Sequence, residues 1–325
     1  MALRRCLWVW VATAWSLLPR DARHNHLPMR PLFALLAVQI LVAAVFIALV
    51  ATDNVPFVDG ETDASPPATT SVKVDRFDSR AAFRLLREQV ELGPRPAGSH
   101  ASRRLARTLR GLLPRGRYEA VPGGLRNVVG VVPGRRNSRQ VIVGAHYDTK
   151  DIPGFVGAND GASGTAITVQ LARTVKPGRL PDKLVFILFD GEESPRGSSD
   201  FEFEQRGLRG SRVAARRHRA AAMILLDFVG DRSLRIPREA NSNRRLWSKL
   251  RAAARQVGVA RNFPAGTAGA VSDDHVPFLR RGVPAIDLID FGFPCFHRRC
   301  DDMSAVSERS VDAVGESVLR MLASL

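Results

Sequence analysis

An α/β fold with helices on both faces of a mostly parallel, twisted sheet, preceded by a transmembrane helix, is what this 325-residue sequence predicts. Three observations predict it. Short apolar runs rich in Val, Ile and Leu alternate with segments of helical period, as in a parallel sheet built from strand–helix units. Several of those runs end in an acid or a histidine, the pattern of a sheet whose carboxyl edge binds a ligand. One uncharged apolar stretch, 31–51, is long enough to span a bilayer.

The chain divides accordingly. Residues 31–51 carry one polar side chain, Gln39; Arg20, Arg23 and Arg30 precede them, and Asp53, Asp59, Glu61 and Asp63 follow. The positive-inside rule keeps 1–30 cytoplasmic and sends the rest across, either anchored or, if the chain is cut near Ala51, released. Residues 6–18 are apolar but too short to span, and Met29-Arg30 offers an alternative start. Residues 52–74 are rich in Pro, Thr, Asp and Ser and read as a flexible linker. Residues 75–325 are of a size usual for one α/β domain.

Within that domain Asp78 or Ser79 caps a helix ending near Leu92, and Ser99 starts a second through Leu113. "RNVVGVVPG" and "RQVIVGAHYDT" are strands joined by a Pro-Gly turn, followed by a helix from about Ser163. "KLVFILFDGEES" and "AAMILLDFVGD" are buried strands entering acidic loops. A helix over "NRRLWSKLRAAARQVG", a strand over "VPAIDLIDF" and a terminal helix from Val311 complete the order.

Net charge is +16, mostly from scattered Arg. The dense run Arg206–Arg219 lacks interleaved aromatics and reads as a solvated helix face, so a nucleic-acid module is not expected. Three cysteines are too few for a disulfide scaffold, but Cys295 and Cys300 are close enough in sequence to bridge in an oxidising compartment.

The chemistry gathers at strand ends: His146 with Asp148, Glu192-Glu193, Asp227 and the late His297, with Asp160 on the loop "GANDGASG". Two imidazoles and several carboxylates suit a catalytic zinc site, in which Asp160 can bridge two ions. In Glu192-Glu193, adjacent side chains diverge, so one can ligate while the other handles a proton.

The motifs "LGPRPAGS", "GAHYDTK", "FVGANDGASG", "LFDGEES", "LLDFVGD" and "SDDHVPFLRRGVPAIDLID", followed by the late His, resemble metallopeptidase family 28, the zinc aminopeptidases, and within it the glutaminyl-peptide cyclotransferases. The resemblance implies that Asp160, Glu193 and His297 bind one zinc. It also implies that His146 and Asp227, with Asp160 shared, bind a second if one is present. Glu192 would be the proton-transfer carboxylate, Asp273 its hydrogen-bonded neighbour, and Asp148 the group that orients His146. Peptide N-termini are the implied substrates. "DDHVPFLRRGVP" lies nearer the cyclase form, "ANDGASG" nearer the aminopeptidase form. Phe296 stands where cyclases usually have Trp, and no Trp follows the Glu pair, leaving Phe201 or Phe203 as a pocket wall. His275 is expected to be structural, and His24, His26 and His218 exposed.

Overall fold

The computed structural model describes residues 77–325, with Gln39 alone upstream of them. The predicted cytoplasmic segment, anchor and linker therefore lie outside the described residues, Gln39 apart. No helix among the described residues is long and apolar enough to cross a membrane.

Helix α1 (Ser79–Glu91) starts where the Asp78 carboxylate accepts the Ala81 N–H. Helix α2 (His100–Leu112) starts where Ser99 does the same for Ser102. Then come β1 (Arg117–Val121), β2 (Leu125–Val132), β3 (Arg136–His146), α3 (Ala162–Thr174) and β4 (Asp182–Phe189). The short α4 (Phe203–Arg206), α5 (Arg209–Arg217), β5 (Ala222–Asp227) and α6 (Arg244–Gln256) follow. The chain closes with the short α7 (Val276–Leu279), β6 (Ala285–Ile289) and α8 (Glu308–Leu322).

The strands lie in the order β1-β2-β4-β3-β5-β6. β4, β3, β5 and β6 run parallel, while β2 is antiparallel to β4 and β1 to β2. The sheet is thus mixed: a parallel core extended by an antiparallel ribbon. Two departures from the sequence reading follow. β2 and β3 share the Pro133-Gly134 turn yet are not partners, because β4 lies between them. β1 was not expected; its five residues alternate weakly, and Glu119 turns inward to accept from Asn127. An edge strand that short carries little periodic signal.

Alternation along the parallel strands separates two cores. Val141, Val143 and Ala145 of β3 join Leu184, Phe186 and Leu188 of β4 and the apolar faces of α1, α2, α3, α6 and α8. Ile142, Val185, Ile187, Phe189, Met223 and Leu225 face the other way, toward Ala214, Ala215 and Phe278 of α5 and α7. Every one of these side chains is buried, worth roughly 1.5–3 kcal/mol for each of the larger aliphatic and aromatic ones. Helix α3 is buried through Ala172 and consists largely of small residues, which permits close packing. A Cβ on Gly164 would lie 2.0 Å from the Leu226 carbonyl oxygen. That helix presses its N-terminal end against the carboxyl ends of β3 and β5, where the acids and histidines gather.

The basic run 206–219 is only partly a solvated face. Gly210, Ser211, Val213, Ala214 and Ala215 of α5 are buried. His218 is not exposed either: its Nε2 sits 2.9 Å from Glu119 Oε2, with the side chain 11% exposed.

Candidate active site

β3 ends in His146, whose side chain is buried. Its Nδ1 lies 3.0 Å from the main-chain carbonyl of Asp148, so that nitrogen donates and the Nε2 lone pair points away. Nε2 lies 3.2 Å from Asp160 Oδ1 and 3.2 Å from Asp227 Oδ1. A lone pair facing two carboxylate oxygens is repulsive unless a proton or a metal cation stands between them. Asp227 is the last residue of β5, and its Oδ1 also accepts the Phe228 N–H at 2.8 Å.

A second triad lies beside the first. His297 Nε2 is 3.4 Å from Asp160 Oδ2 and 3.3 Å from Glu193 Oε1. The Asp160 carboxylate therefore gives one oxygen to each triad, and Oδ2 is buried without a hydrogen-bond donor among the described residues. In each triad the candidate donor atoms lie within 4.8 Å of one another. Zinc bonded at about 2.0–2.1 Å in a tetrahedron needs donors roughly 3.3–3.4 Å apart, so the histidine–carboxylate separations fit. The donor set, nitrogen and oxygen without sulfur, fits a catalytic rather than a structural site.

The supporting contacts explain why the acids stay put. The Asp301 carboxylate accepts the N–H groups of Asn159 and Asp160, at 2.7 and 3.0 Å. Gly161, at φ 86°, turns the chain from Asp160 into α3. Asp148 orients His146 through its main-chain carbonyl; its own carboxylate is 3.9 Å from Nδ1. That carboxylate instead accepts the N–H groups of Gly191, Glu192 and Glu193, fixing the acidic loop after β4. The residue expected to orient His146 therefore does so with its main chain, while its carboxylate lies under the neighbouring loop.

Arg209 holds the same loop from α5, donating to the carbonyls of Gly191 and Glu193. Lys150 Nζ lies 3.2 Å from Glu193 Oε2, leaving Oε1 toward His297. Arg209, Lys150 and Asp301 escaped the sequence reading. Lys150 and Asp301 could have been found beside the motif residues, whereas Arg209 is one Arg among many.

Burial pushes the Glu192 carboxyl well above the usual carboxylate range; His146 opposes this, and Glu193, Asp273 and Asp274 add to it. Burial also acts against a proton on His146, but Asp227, Glu192 and Asp160 overcome it and raise the imidazole. Glu193 is held low despite burial, by its hydrogen bond and charge interaction with His297 and by the charge of Lys150. Asp273 is buried, accepts the Asp274 N–H and leaves Oδ2 without a donor among the described residues.

Asp160, Glu192, Glu193, Asp227 and Asp273 line a cavity of about 510 Å³ whose walls include Phe203, Phe228, Phe291, Phe296 and the Ala268–Ser272 loop. Phe296 stacks on His297, with ring centroids 3.9 Å apart. Of the two phenylalanines proposed as a wall, Phe203 lines the cavity and Phe201 is 96% exposed. Cys295 and Cys300 form a disulfide that brackets His297. His275 lies deep beneath the site, between Glu239 and Asp287 at 3.5 Å from each.

The sequence pattern of peptidase family M28 matches residues 127–322, a stretch that holds both triads and Glu192. The chain belongs to this family. It is 28% identical over 213 residues to a glutaminyl-peptide cyclotransferase of Bos taurus, covering 54% of this chain and 59% of the relative. It is 31% identical over 216 residues to one of Bothrops jararaca, covering 54% and 58%. The chain thus spans about three fifths of the length of these curated relatives. Among solved structures, a leucine aminopeptidase precursor of Bacteroides thetaiotaomicron superposes with a TM-score of 0.70 at 25% identity, over 77% of this chain and 98% of the other. The glutaminyl cyclase of Porphyromonas gingivalis gives 0.66 at 27%, over 76% and 98%.

Proposed function

We propose that this family M28 member is a zinc-dependent glutaminyl-peptide cyclotransferase, converting an N-terminal Gln to pyroglutamate with release of ammonia. The observation that carries the reading is Glu192: a buried carboxyl of raised proton affinity, on the floor of a cavity walled by aromatic rings, beside Asp273. Cyclisation needs one group that takes a proton from the attacking α-amine and gives it to the departing amide nitrogen. A carboxyl whose proton affinity burial has raised above that of an ordinary glutamate can do both. The names of the curated relatives support the same choice.

Asp160, Glu193 and His297 would hold the ion, and His146 and Asp227 with Asp160 a second one. Bound there, zinc supplies Lewis-acid polarisation of the substrate carbonyl. The remaining work falls to the chain. Glu192 moves the proton while the bond from the α-nitrogen to the side-chain carbonyl carbon, Cδ, forms and the bond from Cδ to the amide nitrogen breaks. Asp273 lies close enough to add to the proton affinity of Glu192, and the phenylalanine walls restrict water, which would otherwise compete as a nucleophile. The Asp148 carboxylate accepts the Glu192 N–H, and Arg209 holds the carbonyls of Gly191 and Glu193 on either side, so that the carboxyl reaches the cavity.

One observation favours a second reading, an aminopeptidase. Both triads are complete and share Asp160, as a two-ion site requires. Glu192 would then take its proton from an attacking water and return it to the leaving amine.

Residues 31–51 would anchor the protein with residues 75–325 outside the membrane. The flanking charges support this, as does the Cys295–Cys300 bridge, which persists in an oxidising compartment.

Zinc-loaded protein incubated with peptides beginning in Gln and in Leu, followed by mass spectrometry, tests the reading. Ammonia loss from the Gln peptide with the Leu peptide intact is expected; free Leu would establish the aminopeptidase. Glu192→Gln should lower kcat by roughly 10²–10⁴ with zinc content retained, the usual worth of a general acid–base.

A further inference from the structure

The domain buries its acids and exposes its bases. Residues 77–325 hold 41 Lys and Arg against 26 Asp and Glu. Sixteen of those acids are buried, whereas Arg95 is the one buried base among the described residues. The surface is therefore far more cationic than composition suggests, and the mouth of the cavity is where this bears on a substrate.

Arg298 and Arg299 directly follow His297, inside the short ring that the Cys295–Cys300 disulfide closes. Both are exposed. Arg298 Nη1 reaches the Pro294 carbonyl at 3.4 Å, and Arg299 Nε donates to the Pro153 carbonyl at 2.9 Å. The Arg299 side chain lies over Gly154, whose missing side chain leaves it room. Neither guanidinium has a carboxylate within ion-pair distance among the described residues. The nearby acids are engaged elsewhere. Asp151 pairs with Arg196, Glu204 with Arg280 and Ser272, and Glu193 with Lys150 and His297. The Asp302 carboxylate accepts from the Ser304 amide and hydroxyl.

We propose that Arg298 and Arg299 are a specificity element, selecting peptides that carry acidic side chains just after the N-terminal residue. The inference rests on the peptide-N-terminus reading of the site. With the terminal residue among Glu192, Glu193 and His297, a peptide leaving over Phe291 and Phe296, which line the cavity, would run toward the loop that carries both arginines. An extended peptide advances about 3.3 Å per residue, so its next two or three side chains would be the ones to meet them. The disulfide ring holds the backbone of both arginines, so the ordering cost that remains on binding is that of their side chains. Each exposed ion pair is worth only a factor of a few, and salt screens it. The selectivity is therefore moderate and strongly dependent on ionic strength.

The test uses the full chain loaded with zinc and three peptides, Gln-Ala-Xaa-Ala-Ala with Xaa Glu, Gln or Lys. At low salt kcat/KM should favour Glu over Lys by roughly tenfold, falling toward equality at high salt. In Arg298→Ser/Arg299→Ser the ratio should collapse to about one at either salt. A merely structural role for the two arginines would lower all three peptides together and leave the ratio intact. Equal kcat/KM for the three peptides in the native protein, or a ratio that survives the double substitution, overturns the proposal. If the neutral peptide is not turned over at all, the cyclotransferase reading fails by itself. The same Glu-to-Lys ratio is then read from the anisotropy of carboxyl-terminally labelled peptides, with the same outcomes deciding.

Discussion

His146 shows how much one residue's chemistry depends on its neighbours' main chain. Its ring is set by the Asp148 carbonyl, and it faces Asp160 and Asp227 across Gly161. A Cβ on Gly161 would fall 2.9 Å from the Asp148 carbonyl oxygen and 3.0 Å from His146 Cε1, at a φ that side chains rarely adopt. Gly161→Ala should cost about 1–3 kcal/mol and push the His146 ring off its line. Differential scanning calorimetry should record a Tm several degrees lower, and elemental analysis less zinc per chain. An unchanged Tm with full zinc content would show that the loop relaxes freely. The residues of the two triads were legible before any fold was known, because each ends an apolar strand, lies on the loop that follows one, or sits on the loop before α3. The carbonyl role of Asp148 was not, since residue type says nothing about which of its oxygens a neighbour uses.

Among the elements, the loops at the carboxyl edge matter most. The loop after β4 is held by three N–H bonds to Asp148 and by Arg209 from α5. The loop after β6 carries His297 at φ 52° inside the Cys295–Cys300 ring. A non-glycine residue in that region is uncommon, and here the disulfide and the Phe296 stack restrain it. Replacing both cysteines by serine should weaken zinc binding about 10- to 100-fold in a chelator competition, with far-ultraviolet circular dichroism unchanged. That is the usual consequence of loosening the support of a ligand. Unaltered zinc affinity would mean that packing alone holds His297. Helix α5 shows why part of the site was hidden. Arg209 reads as one more surface base in the run 206–219, and only the packing of α5 under the sheet turns it toward Gly191 and Glu193.

The whole molecule collects buried carboxyls at one edge of its sheet, which has a consequence for stability without metal. Burial lifts Asp148, Asp227 and Asp301 each to about 7, and His146 is raised as well. Each group binds its proton more tightly folded than unfolded, so the native state holds more protons and stability falls as pH rises. For the acids the loss runs from about pH 4 to about pH 7, from their unfolded to their folded values. Glu193 and Glu239 are lowered and act oppositely, but below about pH 4.5. Metal-free protein should therefore lose urea resistance between about pH 5 and pH 7, and zinc should restore most of it by replacing protons with a cation. A flat urea midpoint across that range would count against this distribution of buried charge.

Taken alone, the sequence determined the alternation of strands and helices, the sheet edge where the acids gather, and the residue types able to hold zinc. Hydrophobic period and strand-end chemistry are local properties, readable within a dozen residues. Only the tertiary structure decided that β4 lies between β2 and β3, that Phe203 rather than Phe201 walls the cavity, and that Asp160 divides its two oxygens between His146 and His297. Those outcomes depend on strand order and on contacts between residues as much as 137 positions apart, as Asp160 and His297 are. No periodicity along the chain encodes a distance of that kind; packing against the sheet does.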